Sequence, residues 1–291
     1  MKINNQGLLI ALALFSTYFI WGSTYLAIRF GMESFPPFLL AGLRFTIAGL
    51  ILYSVMRYFD SPNPTKKQWI NAAVIGILLP AFGNGTVCYV QQTVSSSVAA
   101  LSIATAPIWM AIFSSIWGHK ISKKEWLGIS IGFIGIVLLN LGGSLRGDFS
   151  SAMLLIFAAA SWSFGSVWSK QMDMPKGFMA SAAQMLVGGM VLLGLSAIQG
   201  EIWPQIVTYK SWVALLFLVV LGSLVAYNAY QYLLKTVRPL VASSNTFVNP
   251  VVAFIVGILF ANEKVTTAEF IALGIILIGV FLVLSANNKE I

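Results

Sequence analysis

Residues 98–117 read VAALSIATAPIWMAIFSSIW, and residues 241–261 read VASSNTFVNPVVAFIVGILFA. Neither stretch holds a charge, and each has the roughly 20 apolar residues that a helix needs to cross a bilayer. Each carries one proline, Pro107 and Pro250, and these stand 143 residues apart. At that spacing Tyr89 pairs with Tyr232, Thr93 with Thr236, and Trp21-Gly22-Ser23 with Phe164-Gly165-Ser166. One residue further on, Glu125-Trp126 pairs with Glu269-Phe270 and Gly135 with Gly279. After another small shift, Phe38 and Gly49 pair with Phe178 and Gly189. Agreement across several separate segments predicts two copies of one unit.

Working outward, ten apolar runs are long enough to span: Leu8–Ile28, Pro36–Met56, Trp69–Gln91, Val98–Trp117, Trp126–Leu141, Ala152–Lys170, Phe178–Gln199, Ser211–Leu234, Val241–Ala261 and Ala268–Ser285. The fifth is the shortest. The third and fourth are joined by a few residues around Thr93–Ser97, which predicts a tight helical hairpin. The units then cover residues 8–142 and 152–286, five spans each. An odd number sends the second unit across the membrane in the opposite sense. The fold expected is an all-α membrane protein of ten transmembrane helices in two inverted five-helix repeats, with a substrate site near the midplane where the repeats meet.

Composition agrees. The chain is 58% hydrophobic and 9% charged, with a mean hydropathy of +0.86. A soluble domain is about 25% charged, so lipid must solvate most of this surface. The net charge of +8 does not point to nucleic acid, because the basic residues sit in short gaps between apolar runs and form no patch. With the N-terminus in the cytoplasm, twelve Lys and Arg fall on that side and four (Arg29, Arg146, Lys210 and Lys264) on the other. The positive-inside rule selects this orientation, with both termini cytoplasmic. The first run is too long for a signal-peptide core. No gap holds a soluble domain, and no Walker pattern is present. Cys88 and His119 are the only residues of their kinds. They allow neither a disulfide nor a metal site, and no cofactor is expected.

Three segments carry a family resemblance: Trp21-Gly22-Ser23-Thr24-Tyr25; the pair Leu101–Pro107 and Ser243–Pro250; and Asn262-Glu263-Lys264-Val265-Thr266, followed by Gly274 and Gly279. Over nearly the whole chain the sequence resembles the paired EamA-type modules of the drug/metabolite transporter superfamily. The resemblance implies a ten-helix carrier of the inner membrane, often an exporter of amino acids or related metabolites, without fixing the substrate. One departure is His119, where the first module often has an acidic residue; the second module keeps Glu263.

Mid-membrane polar and aromatic residues give the candidate site. Amides at that depth are costly to expose to lipid and should face the interior, either to bind substrate or to join helices. They are Asn84, Asn228, Gln231, Asn245 and Asn249, with Trp21, Ser23, Tyr25, Tyr89, Trp162, Ser163, Trp168, Tyr227 and Tyr230 beside them. Pro107 and Pro250, read as lying well inside helices, free the carbonyls of Ile103 and Thr246 and suggest kinks or gates. Arg44 is the only charge deep inside a helix, about 12 Å from Pro36 at 1.5 Å per residue. It either captures a substrate carboxylate or pairs with carbonyls at a helix junction. The family often has an arginine here, which favours the second role, and both stay open. Trp69, Trp126, Trp203 and Trp212 read as interface anchors. Gly128, Gly132, Gly188, Gly189 and Gly274 read as packing surfaces.

Absences narrow the function. No acid lies at a helix centre, which weakens a proton-coupled multidrug efflux carrier; coupling through Glu33 or Glu269 at helix ends, or facilitated diffusion, would fit. No mid-helix lysine serves a phosphate clamp. An intramembrane protease needs a buried His or two buried Asp, so an enzyme is not expected. A channel would favour a polar stripe and a symmetric oligomer. The reading that fits is a secondary carrier of a small molecule by alternating access, an exporter of amino acids or related compounds, embedded in the lipid bilayer as a monomer or homodimer.

Overall fold

The computed structural model describes residues 5–94, 99, 102–141, 149–261 and 267–286. Among the described residues ten helical rods follow in order: α1 Asn5–Gly31, α2 Pro37–Tyr58, α3 Lys66–Val90, α4 Ala106–Ile116, α5 Lys123–Leu141, α6 Phe149–Ser169, α7 Phe178–Ile198, α8 Tyr209–Thr236, α9 (Pro239–Ser243, then Asn245–Ala261) and α10 Thr267–Ser285. There is no strand among the described residues. Thr65 caps α3 in a reciprocal capping box with Gln68, and Thr208 caps α8 by accepting from the Ser211 N–H. α1, α2, α3, α7 and α8 are each long and apolar enough to cross a membrane. Their outer faces keep large apolar side chains such as Leu50, Met190 and Leu216 exposed, as a lipid solvent requires.

The packing partners exchange when the two halves are exchanged. α2 packs on α7 and α5 on α10, each with its own counterpart. α9 packs on α1 as α4 does on α6, and α8 packs on α1 as α3 does on α6. α7 lies against α3 as α2 does against α8. This is the contact pattern of a two-fold axis relating two five-helix units, and five crossings make the repeat inverted.

The self-paired contacts depend on small residues. A Cβ on Gly189 would lie 2.5 Å from the Thr46 N, and one on Gly49 2.7 Å from the Leu186 N. These two glycines, which match in the repeat, set the α2–α7 approach. A Cβ on Gly128 would lie 2.8 Å from the Gly279 O, so α5 and α10 touch backbone to backbone. Gly274 has open space around it and is not a packing residue.

Several helices are irregular. π-helical turns interrupt α3 at Ile77–Gly85 and α8 at Leu218–Val225, matching places in the two halves. Pro80 lies inside the first. A third π-turn, Ser16–Ile20 in α1, has no counterpart in α6, which is regular throughout. One expectation needs correction. Pro107 is not in a helix interior: the chain turns at Ala104 and Thr105, and the proline stands in the first turn of α4, where its missing N–H costs nothing. Pro250 does lie within the helix, beyond a break at Ser244. α5 extends the fifth apolar run back through Lys123, Lys124 and Glu125 to 19 residues. Arg146, Asn262–Thr266 and most of the α3–α4 hairpin turn lie outside the described residues.

Candidate functional site

One cavity lies between the halves, lined from six helices. α1 presents Trp21, Thr24, Tyr25 and Ile28, a single face at three- and four-residue spacing. α3 adds Gly83, Asn84 and Val87 as its π-turn ends; α6 adds Ala158, Ala159 and Trp162; α9 adds Asn245, Thr246 and Asn249 just past its break. Arg44 comes from α2, with Ala106 from α4 and Ile103 from just before the turn that precedes it. The cavity holds about 80 Å³, where one water needs roughly 10–15 Å³ on this scale. It is sized for a small polar solute.

The lining on α1 runs from Trp21 toward Gly31, so the cavity occupies that half of the bundle. An aromatic cluster stands beside it, reaching its wall through Trp21 and Trp162. Trp21 and Trp162 meet edge to face at 5.5 Å, and Tyr230 packs on both, at 5.2 and 5.4 Å. Tyr227 meets Trp162 at 6.1 Å. Trp21 is held by its indole N–H, which donates to the Gly222 carbonyl at 3.0 Å. The Tyr230 hydroxyl bonds Ser166 Oγ at 2.8 Å.

Arg44 is 2% exposed and faces this space. Its Nε donates to Ser223 Oγ at 2.8 Å and its Nη1 to Asn84 Oδ1 at 3.0 Å. Both partners are neutral. The ion pairs among the described residues are Lys210–Glu33 and Arg238–Glu125, so Arg44 has no carboxylate there. A guanidinium carries five donors in a planar fork, and two are engaged. A buried charge solvated only by neutral groups is costly, and a ligand anion would offset that cost. Nearby, the buried Asn245 Oδ1 has no hydrogen-bond partner.

The candidate residues divide by place. Trp21, Tyr25, Arg44, Asn84, Trp162, Asn245 and Asn249 line the cavity. Asn249 also joins helices: its amide faces the carbonyls of Asn245, Tyr18 and Thr17 at 2.9, 3.2 and 3.3 Å, so its nitrogen points there and holds the π-turn of α1. Tyr18 and Ser244 share a 2.7 Å hydrogen bond at the same junction. Tyr227 and Tyr230 do not line the cavity; they are buried and pack behind Trp162. Ser23 turns away and donates to the Phe19 carbonyl. Tyr89 is 44% exposed and stacks on Phe38. Trp168 packs on Phe164, away from the cavity. Ser163 donates to the Ala106 carbonyl. Asn228 donates to the Leu224 carbonyl and leaves its oxygen buried and unpaired. Gln231 bonds Gln184, a residue the sequence reading did not single out. Ser223 and Thr24 were also missed. Thr24 is three residues from Trp21, and that helical spacing could have found it.

The opposite end of the bundle is tied by Glu125. It is 2% exposed and accepts from the Ser122 N–H and hydroxyl at the start of α5, and from Arg238 at the start of α9. Removing one partner of a buried pair strands the other's charge. Arg238→Ala is therefore expected to lower stability by about 3 kcal/mol, the low end for a buried pair because Arg238 is 32% exposed, and Arg238→Ala/Glu125→Gln by less than that. Thermal melts of purified protein in detergent check the order; a double variant weaker than the single would contradict it. Near this end, desolvation draws the Lys170 amine below its ordinary value.

The sequence profile of the EamA-like transporter family matches residues 8–141 and again 149–285. The uncharacterized inner membrane transporter YedA of Escherichia coli K12 is 43% identical over 272 residues, covering 93% of this chain and 89% of YedA. The uncharacterized transporter YoaV of Bacillus subtilis is 25% identical, covering 94% of this chain and 96% of its own. A solved crystal structure superposes with a TM-score of 0.77 over 94% of this chain and 95% of the other, at 19% identity, and so shares the fold. Two family matches, one on each five-helix unit, make this chain a membrane transporter of the EamA-like transporter family.

Proposed function

We propose that the protein is an alternating-access secondary carrier of the inner membrane, with both termini cytoplasmic, that exports small carboxylate-bearing metabolites such as amino acids. The observation that carries this reading is Arg44: a buried guanidinium on the cavity wall, with free donors and no carboxylate partner among the described residues. A carboxylate seated there would meet a planar fork of donors. Trp21, Tyr25 and Trp162 would pack on the rest of the solute. Repeat units at residues 8–142 and 152–286 would rock against each other about the inter-repeat cavity.

Two features argue against the alternatives. The packed cluster of Trp21, Trp162 and Tyr230 beside the cavity suits a carrier better than an open channel. No Asp or Glu lines the cavity among the described residues, and without one an exchange of protons for cationic drugs has no carboxylate to work through.

The test uses proteoliposomes offered a mixed pool of amino acids and other metabolites, read by mass spectrometry with and without a pH gradient. Expected is saturable entry of a few carboxylate solutes, accelerated by preloading the vesicles with the same solute. Entry that follows the gradient would send the coupling to helix-end acids; entry that ignores it would mean facilitated exchange. Linear, unsaturable entry with no acceleration by preloading would contradict the carrier reading.

A further inference from the structure

The inter-repeat cavity carries three amide side chains, Asn84, Asn245 and Asn249. Two of them are occupied. Asn84 Oδ1 accepts from Arg44, and the Asn249 amide holds the carbonyls of Thr17, Tyr18 and Asn245. Asn245 is different. It is 3% exposed, its Oδ1 has no hydrogen-bond partner, and its Nδ2 donates to nothing among the described residues. A buried polar atom left unpaired costs more than an ordinary hydrogen bond returns, so native interiors hold few of them. With neither end tied, this amide can turn over about its last bond without breaking a hydrogen bond, and can present its oxygen to the cavity.

The next residue adds a second acceptor. Thr246 lines the same cavity, and four residues beyond it Pro250, inside α9, has no N–H to offer the Thr246 carbonyl. The other repeat copies the arrangement: Ile103 lines the cavity and stands four residues before Pro107. Arg44, on α2, faces this space with donors only. The cavity therefore offers donors from one helix and unfilled acceptors from another. A bare carboxylate is all acceptor. It can meet Arg44, but it leaves Asn245 Oδ1 and the Thr246 carbonyl as they were. A solute with an ammonium beside its carboxylate fills both sets, and a space of about 80 Å³ keeps the two sets within reach of adjacent groups on one small molecule.

We infer that Asn245 Oδ1, with the Thr246 carbonyl, accepts from the ammonium of an α-amino acid whose carboxylate meets Arg44, and that Asn245 is thereby the residue that selects amino acids over carboxylates carrying no donor. The inference rests on the carboxylate reading of Arg44 and narrows it from acids in general to zwitterions. Both acceptors are neutral, so the ammonium is held by hydrogen bonds and not by a counter-charge. A hydrogen bond to an ionised group is among the stronger kinds, and here it also relieves an unpaired buried oxygen. An amine without a carboxylate gains nothing from Arg44 and is repelled by it. Pro250 then has a purpose beyond bending α9: its missing N–H leaves a carbonyl open in the turn where the solute sits.

The test compares matched solutes in proteoliposomes: L-alanine, L-leucine and L-phenylalanine, each beside its 2-oxo acid and its decarboxylated amine. Saturable entry above empty vesicles is measured for each. Expected is a preference of at least about tenfold for the best amino acid over its 2-oxo acid, the share of one hydrogen bond to a charged group, with the amine slower still. Asn245→Leu, close in size but without the amide, should bring that ratio toward equality. Pro250→Ala, which gives the Thr246 carbonyl a donor again, should lower the ratio too, and it serves if Asn245→Leu does not fold. The ratio is the readout because a change in gating or folding alters both solutes alike. Equal entry of amino acid and 2-oxo acid, or a ratio unmoved in both variants, would overturn the role of Asn245 and leave the Arg44 reading standing. Amines entering as well as amino acids would overturn the Arg44 reading instead. No saturable entry of any of these solutes would overturn both.

Discussion

Arg44→Ala is expected to lower the kcat/KM of carboxylate transport by at least about 100-fold, within the 2–5 kcal/mol that truncating one side of a buried charged contact costs. The size follows from the setting. The guanidinium is fully desolvated and positioned by Ser223 and Asn84, so it meets an anion with little further ordering. Arg44→Lys keeps the charge but not the planar fork, and should recover about a tenth of the loss in log units or more while shifting selectivity. The substitution also strips Ser223 and Asn84 of a partner, so stability must be read beside transport. Ser223→Ala, which removes one neutral hydrogen bond of about 1 kcal/mol, reports that structural share. If Arg44→Ala folds and transports with unchanged KM, the arginine is a strut and the carboxylate reading fails.

Gly189→Leu is expected to prevent assembly of the two halves. A Cβ there would sit 2.5 Å from both the N and Oγ1 of Thr46, and backbone cannot step aside as a side chain can. α2 and α7 would have to part along their length. In lipid no hydrophobic term between helices makes up the lost contact, because association there depends on close packing itself. Overpacking in ordinary cores already costs about 1–3 kcal/mol, and this site offers less relief. Gel filtration in detergent should show loss of the monodisperse peak. Gly274→Leu, in open space, should behave as wild type. A monodisperse Gly189→Leu with an unshifted melt would show that the α2–α7 approach is not as close as described.

Much of this was legible in the sequence, because membrane helices announce themselves by length and because repeats leave matched residues. The ten spans and the inverted pairing follow from those two signals. Arg44 stood out because a charge in an apolar run is expensive. Orientation around each helix was harder to read. Ser23 is two residues from Trp21, about 200° around the axis at 100° per residue, and so faces away, while Thr24 and Ile28 share its face. Tyr89 is similarly rotated from Asn84. The π-turns re-aim α1, α3 and α8; Pro80 marks one of them, while Leu218–Val225 carries no proline and only Gly222-Ser223 to weaken the helix. Gln184 was overlooked because a neutral amide in an apolar helix looks like an ordinary join between helices. Its hydrogen bonds from Tyr227 and Gln231 become visible only when α7 and α8 are set side by side.

The most direct test of Arg44 as a carboxylate anchor compares one transported acid with its own primary amide in the same proteoliposomes. The two solutes match in shape and differ in the charge that Arg44 would meet. Expected is transport of the acid at least about 100-fold more efficient than that of the amide, with the difference lost in Arg44→Gln. Equal transport of acid and amide by the wild-type protein would contradict it.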